Sequence, residues 1–137
     1  MPGTDPTHWL HRLSADEWLA AAETELGHCE EALARRAARP GVTHARRGAG
    51  MALNAVLVLR QDDRFGRSYM EHVVALSTDE SAPAAVRTAA QALREIPPAP
   101  PELVTLGKPD MRALNAAAAI VEYARARVGE LRASDPD

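Results

Sequence analysis

The sequence predicts an all-α, single-domain helical bundle of about five helices, and three observations carry that prediction. Alanine fills 28 of the 137 positions and leucine another 14, which suits helices packed closely through small side chains. Strand-favouring residues are scarce, with nine Val, two Ile and only 4% aromatics. Apolar residues recur at spacings of three and four in five separate stretches. The length fits one domain with a real core, since a chain near 150 residues buries roughly 68–70% of its unfolded surface. This combination excludes a β-sandwich or barrel, a disulfide scaffold, a membrane span and a disordered chain.

Residues 1–13 read as a flexible N-terminal arm, 14–132 as the bundle and 133–137 as a polar tail. Ser14 and Glu17 have the spacing of a capping box, flanked by the Leu13–Trp18 pair of a hydrophobic staple. The first helix is expected over 15–39, with Leu19, Ala22, Leu26, Cys29 and Leu33 as its stripe and Pro40-Gly41 as its stop. Asp16, Glu17, Glu23 and Glu25 at its start and Arg35, Arg36 and Arg39 at its end suit the helix dipole. The second helix, 43–59, carries the small-residue stripe Ala45, Gly48, Ala52, Ala55 and Leu59. It is apolar nearly all round, which marks the central helix, so Asn54 within it needs a hydrogen-bond partner.

A third helix is expected over 67–77, with Tyr69, Met70, Val73, Val74 and Leu76 as its apolar arc and His72 at the edge of that arc. The fourth, 82–95, begins around Pro83 and packs through Val86, Ala89, Ala90 and Leu93. Pro97, Pro98, Pro100 and Pro101 impose an extended crossing with polyproline character. Pro109 then opens the fifth helix, whose stripe is Leu114, Ala117, Val121, Ala124, Val128 and Leu131.

A net charge of −3 means that the whole molecule is no general attractor of nucleic acid. A single cysteine, Cys29, forms no internal disulfide and points to a reducing compartment. Its place in the apolar stripe marks a buried, inert thiol. The first 13 residues contain no apolar signal segment, and the longest apolar run, Ala116–Val121, falls far short of the ~18–20 residues of a membrane span. The expectation is a cytoplasmic, bacterial-style protein without membrane contact.

Three groups bear on chemistry. His8-x-x-His11 has the spacing of a metal pair but no acidic or cysteine partner nearby, so neither a metal nor a cofactor is expected. Arg35, Arg36, Arg39, Arg46 and Arg47 gather five positive charges around the first helix–helix turn and are the candidate nucleic-acid contacts. Arg67-Ser-Tyr-Met-Glu-His72 combines an imidazole able to exchange protons near neutral pH with a guanidinium able to stabilise a phosphorane. Together these could cleave RNA without a metal, using the 2′-hydroxyl as nucleophile. Residues five apart differ by about 140° in azimuth on an α-helix. Arg67 and His72 therefore meet only if the backbone before the helix swings Arg67 round, or if a two-fold dimer supplies the second copy.

From Glu17-Trp-Leu-Ala-Ala-Ala-Glu23, through Arg46-Arg-Gly-Ala-Gly-Met-Ala-Leu-Asn-Ala-Val-Leu-Val-Leu59, to the third helix with Arg67 and His72, the helix order resembles the HEPN-domain family (higher eukaryotes and prokaryotes nucleotide-binding). The likeness extends over about residues 14–130. Catalytic members carry Arg, four to six residues, then His, often with a polar residue after the Arg. Arg67 and His72 match, with Ser68 in the polar place; Arg39 and His44 share the spacing but span the Pro-Gly break. The resemblance implies an RNA- or nucleotide-related role, in its sharpest form a metal-independent endoribonuclease. In that form His72 is general acid or base, Arg67 the transition-state stabiliser and Ser68 a minor polar contact in a homodimer. The alternative it implies is a non-catalytic helical interaction module, such as the partner of a nucleotidyltransferase in a two-protein, toxin–antitoxin kind of system. Its contacts would come from the small-residue face of the second helix and the apolar stripe of the fifth.

Overall fold

A computed structural model describes residues 9–96 and 110–134. His8, the four-proline crossing, Pro109 and the last three tail residues lie outside the described residues. Five α-helices follow one another: α1 (Ala15–Ala34), α2 (Ala38–Leu59), α3 (Tyr69–Ser77), α4 (Ala84–Glu95) and α5 (Arg112–Ser134). Short 3-10 turns at Trp9–Arg12 and Asp63–Phe65 precede α1 and α3. The all-helical class expected from composition is what forms, and no strand occurs among the described residues. No described helix is long and apolar enough to cross a membrane.

The Ser14–Glu17 capping box opens α1 as its spacing predicts, with the Glu17 N–H donating to Ser14 Oγ at 3.1 Å and the Ser14 N–H to Glu17 Oε1 at 2.8 Å. The end of the expected arm is anchored there: Leu10 is buried, and the Trp18 indole N–H donates to its carbonyl at 2.9 Å.

The first helix–helix boundary differs from expectation. α1 stops at Ala34, and Arg36 takes the left-handed conformation at φ 61°. The Ala37 N–H then reaches the Ala32 carbonyl at 2.8 Å and the Arg36 N–H the Leu33 carbonyl at 3.0 Å. These two bonds make a Schellman cap, a position that usually holds glycine. Pro40, read from sequence as a stop, lies in the first turn of α2, where its missing N–H has no intrahelical partner to lose.

α2 is the central helix, packing on α1, α3 and α5. Ala45, Ala49, Ala52 and Ala55 are fully buried, and Gly48 is buried with them. A Cβ at Gly48 would lie 3.3 Å from both the Ala22 carbonyl oxygen and Glu25 Cβ, so the bare glycine sets how near α1 comes. One apolar cluster gathers Leu53, Phe65, Leu76, Leu93 and Ile120, where α2 to α5 meet. The other gathers Trp18, Leu19, Met51, Val121 and Val128, where α1, α2 and α5 meet. The small-residue face of α2 and the inner stripe of α5 are thus core. This corrects their expected use as contact surfaces for a partner.

Gly66 turns the chain into α3 at φ 68° and ψ −156°, a region that essentially only glycine occupies. Its Cα also faces Glu71, whose Cβ would stand 2.8 Å from an added Cβ. We expect Gly66→Ala to destabilise the fold by at least about 1 kcal/mol, measured as a lowered denaturation midpoint with an unchanged slope.

Candidate functional site

Ser68, not Arg67, starts the third helix. Its side chain caps α3, accepting the Glu71 N–H at 3.0 Å, while Glu71 Oε1 accepts the N–H groups of Ser68 at 2.9 Å and Arg67 at 3.0 Å. These bonds hold the Glu71 carboxyl below its ordinary pKa, the Arg67 N–H being the largest cause. The Ser-x-x-Glu spacing at 68–71 is the same capping-box signal as at 14–17 and was legible in the sequence. Arg67 is exposed just outside the helix, joined to it through its backbone.

His72 is on the inner face of α3 beside Val73 and Leu76, with 0% exposure. Val74, assigned to the apolar arc from sequence, is 38% exposed instead. The His72 Nδ1 lies 2.7 Å from the Phe65 carbonyl oxygen, and Nε2 lies 2.7 Å from Asn54 Oδ1. Asn54 has thereby found the partner that its place in an apolar helix demanded. Desolvation lowers the His72 pKa from its ordinary value, against smaller opposing effects of the Phe65 carbonyl and the Glu71 charge. A neutral imidazole has one N–H, and the Phe65 carbonyl, which can only accept, claims it at Nδ1. Nε2 is then an acceptor. It is matched when the Asn54 carboxamide makes a half-turn and presents Nδ2, the buried amide nitrogen that lacks a partner with Oδ1 facing the ring.

Arg67 and His72 therefore do not meet within the chain. The guanidinium belongs to the surface and the imidazole to the core, because three elements converge on that ring: α2 through Asn54, the Asp63–Phe65 turn through Phe65, and α3 itself. A substrate reaching His72 would have to break both ring contacts first.

The five basic candidates also separate. Arg35, Arg36 and Arg39 are exposed around the α1–α2 turn. Arg46 reaches the other way. Its Nε donates to the Leu93 carbonyl at 3.1 Å, and its Nη2 to those of Arg94 at 3.3 Å and Ile96 at 2.7 Å. These are orphan carbonyls at the end of α4, and a guanidinium is suited to capping them. This takes Arg46 out of the expected nucleic-acid surface. Arg47 has its Nε 3.7 Å from Glu25 Oε1. Ser68 does share a shallow depression of about 310 Å³ with Arg46 and Arg47, closed by Thr43, Tyr69 and Met70.

Cys29 is fully buried, and burial followed by the Glu30 charge raises its thiol pKa to about 11, which keeps it protonated and inert. Two groupings that sequence reading missed are sites of convergence. One is Glu25, His28 and His44, side chains of metal-ligand type brought together from α1 and α2. Their separation along the chain hid them, although Glu25 and His28 stand at i, i+3. The other is a cleft of about 360 Å³ at the C-terminal end of α2. Leu53, Val56, Leu57, Phe65 and Leu76 form its apolar lining, and Arg60, Gln61, Arg64, Ser81, Tyr123 and Arg127 contribute polar groups. Asp62 and Asp79 also line it. Asp62 is engaged by Arg64 Nη2 at 2.6 Å, a bond that holds its carboxyl below the usual range, and Asp79 accepts the Ser81 hydroxyl at 2.7 Å.

Three outcomes follow for stability. His72→Ala is expected to cost about 3 kcal/mol, from a cavity and stranded polar partners, in urea denaturation. Arg46→Met is expected to cost roughly 1–3 kcal/mol in the same measurement, since it strips charged donors from the α4 carbonyls. Because the folded His72 pKa lies below the unfolded value of about 6.5, the unfolded chain takes up the proton first, and stability falls as pH drops below that value. Thermal melts from pH 8 to pH 5 should show wild type losing more stability than an Asn54→Leu/His72→Leu double variant; equal losses would refute the buried, neutral assignment. Comparison with protein families, with curated proteins and with solved structures found no match to this chain.

Proposed function

We propose that this chain is a HEPN-like helical domain whose nucleotide-related role is binding, carried by the cleft at the C-terminal end of α2 rather than by chemistry at Arg67 and His72. The observation that supports it is the composition of that cleft: three arginines against two aspartates, one of them already paired with Arg64, and a tyrosine beside an apolar floor. Its volume, about 360 Å³, falls within the roughly 300–1,000 Å³ of small-ligand sites.

The parts fit a phosphate joined to a flat base. Arg60 and Arg127 present guanidinium groups, whose planar fork matches phosphate oxygens. Among the described residues Arg127 pairs with the exposed Glu130, at 3.2 Å, a weak surface pair that a phosphate can displace. Arg64 is tied to Asp62, so it orients the cleft wall more than it offers charge. Tyr123 is half-buried, and burial and then the Asp79 charge raise its hydroxyl pKa. It remains a neutral donor with a ring face for stacking, an interaction worth about 1–3 kcal/mol per base. Gln61 and Ser81 add polar atoms for a base edge or a ribose.

Isothermal titration with AMP, ADP and a short single-stranded RNA tests this reading. Binding is expected to weaken at least about tenfold in Arg127→Ala and in Tyr123→Ala, and to fall with added salt. No cleavage of the RNA is expected from wild type. Absence of binding at millimolar nucleotide, or binding unaltered by both substitutions, would remove the proposal.

A further inference from the structure

We propose that Glu25, His28 and His44 form a binding site for a divalent transition-metal ion of the zinc type, open to an exogenous ligand. One ligand atom from each of the three lies within 4.8 Å of the other two. Zn–N distances of roughly 2.0–2.1 Å in a tetrahedral site put neighbouring ligand atoms roughly 3.4 Å apart. From the 4.8 Å limit the widest pair closes by at most about 1.4 Å, while the 2.7 Å contact between His44 Nδ1 and Glu25 Oε1 opens slightly, and side-chain rotation supplies both.

The arrangement is built into the backbone. Glu25 and His28 stand three apart on α1 and so share one face. His44 comes across from α2, and Gly48, one turn further along α2, is what allows α1 close enough: a Cβ there would meet the Glu25 side chain. Glu25 is a nearly buried carboxylate at 8% exposure, aimed at the inter-helix seam, where His44 Nδ1 stands 2.7 Å from its Oε1. The His28 and His44 rings meet edge to face with centroids 5.2 Å apart. Two imidazoles and one carboxylate select zinc, cobalt, nickel or copper over magnesium or calcium, which prefer oxygen ligands alone. His28 is exposed, so the fourth position of a bound ion faces solvent and takes water or a ligand atom from outside.

Two present contacts give way on binding. A metal ion takes the place of the direct contact between His44 Nδ1 and Glu25 Oε1. Arg47, whose Nε lies 3.7 Å from Glu25 Oε1 and whose side chain is 48% exposed, turns outward. Arg47 competes with the ion for that carboxylate, so the site distinguishes itself from adventitious histidine binding by the effect of its removal.

The test is titration of the untagged, full-length protein with Zn²⁺ alone, supported by the visible absorption of a Co²⁺ complex. A single ion per chain is expected, with tetrahedral Co²⁺ bands. His28→Gln, an exposed substitution that leaves the metal-free melting temperature unchanged, is expected to weaken Zn²⁺ binding at least about tenfold. Arg47→Gln is expected to tighten it. No Zn²⁺ uptake overturns the proposal. So does uptake equal in wild type and His28→Gln, with loss instead in His11→Gln, which would place the ion at the N-terminal histidines. Nucleotide binding in the α2-end cleft uses none of these residues, so either result leaves that reading to its own experiment.

Discussion

The chain of hydrogen bonds from Asn54 through His72 to the Phe65 carbonyl is the constraint on which the rest of this bundle depends. α3 is only nine residues long, and its two fully buried apolar side chains, Val73 and Leu76, are a small contribution to the core. Short helices gain most of their stability from tertiary packing. His72 adds a directional element to that packing. It fixes the axial rotation of α3 against α2 and at the same time sets the height of the turn that precedes it. Phe65 is thereby held over the α2 end, where it forms part of the cleft floor. A polar group buried in this way is costly unless its partners are complete, and completeness here asks for a particular amide orientation and a particular tautomer. The cleft arginines are consequently displayed on a backbone that a core imidazole holds in place.

The second determinant is how closely α1 and α2 approach. Alanine and glycine at 45, 48, 49, 52 and 55 remove side-chain bulk where large residues would separate the helices. Close approach brings polar side chains near the seam into mutual reach, which is why Glu25 meets His44 and Arg47 across it. The same substitution pattern that shapes the core therefore creates the cluster of metal-ligand type, without any residue of that cluster lying in the apolar stripe.

Helix number, the central place of α2, the cap at Ser14, the inert Cys29 and the need of Asn54 for a partner were all legible in the sequence, because each follows from periodicity or from a local spacing. The errors have physical causes. Pro40 reads equally as a stop or as a first-turn residue, and the deciding signal, a left-handed backbone, falls on Arg36 rather than on a glycine. His72 sits at an edge of the α3 arc in a helical projection. Two neighbouring elements, α2 and the Asp63–Phe65 turn, then close over that edge, and a projection of one helix does not contain them. Arg46 belongs to a run of arginines on the page, but its neighbours in space are the carbonyls of a helix some fifty residues away. Local sequence reports which residues are charged. Which end of which helix they serve is a tertiary fact.

That distinction also limits how the two polar convergences relate. His44 and Arg60 bracket most of α2, so the metal-ligand cluster and the cleft stand about 24 Å apart at 1.5 Å of rise per residue. The helix between them is the most thoroughly packed element of the fold. Coupling between distant sites requires an element with two arrangements that both sites bias. α2 has its inner face packed against α1 and α5 and its Asn54 bonded to His72. The helix with the least apolar hold is α3, the shortest of the five, whose place on the core rests most on a polar contact. In this fold the central helix keeps the two ends apart, and the imidazole of His72 ties α3 to that helix at Asn54.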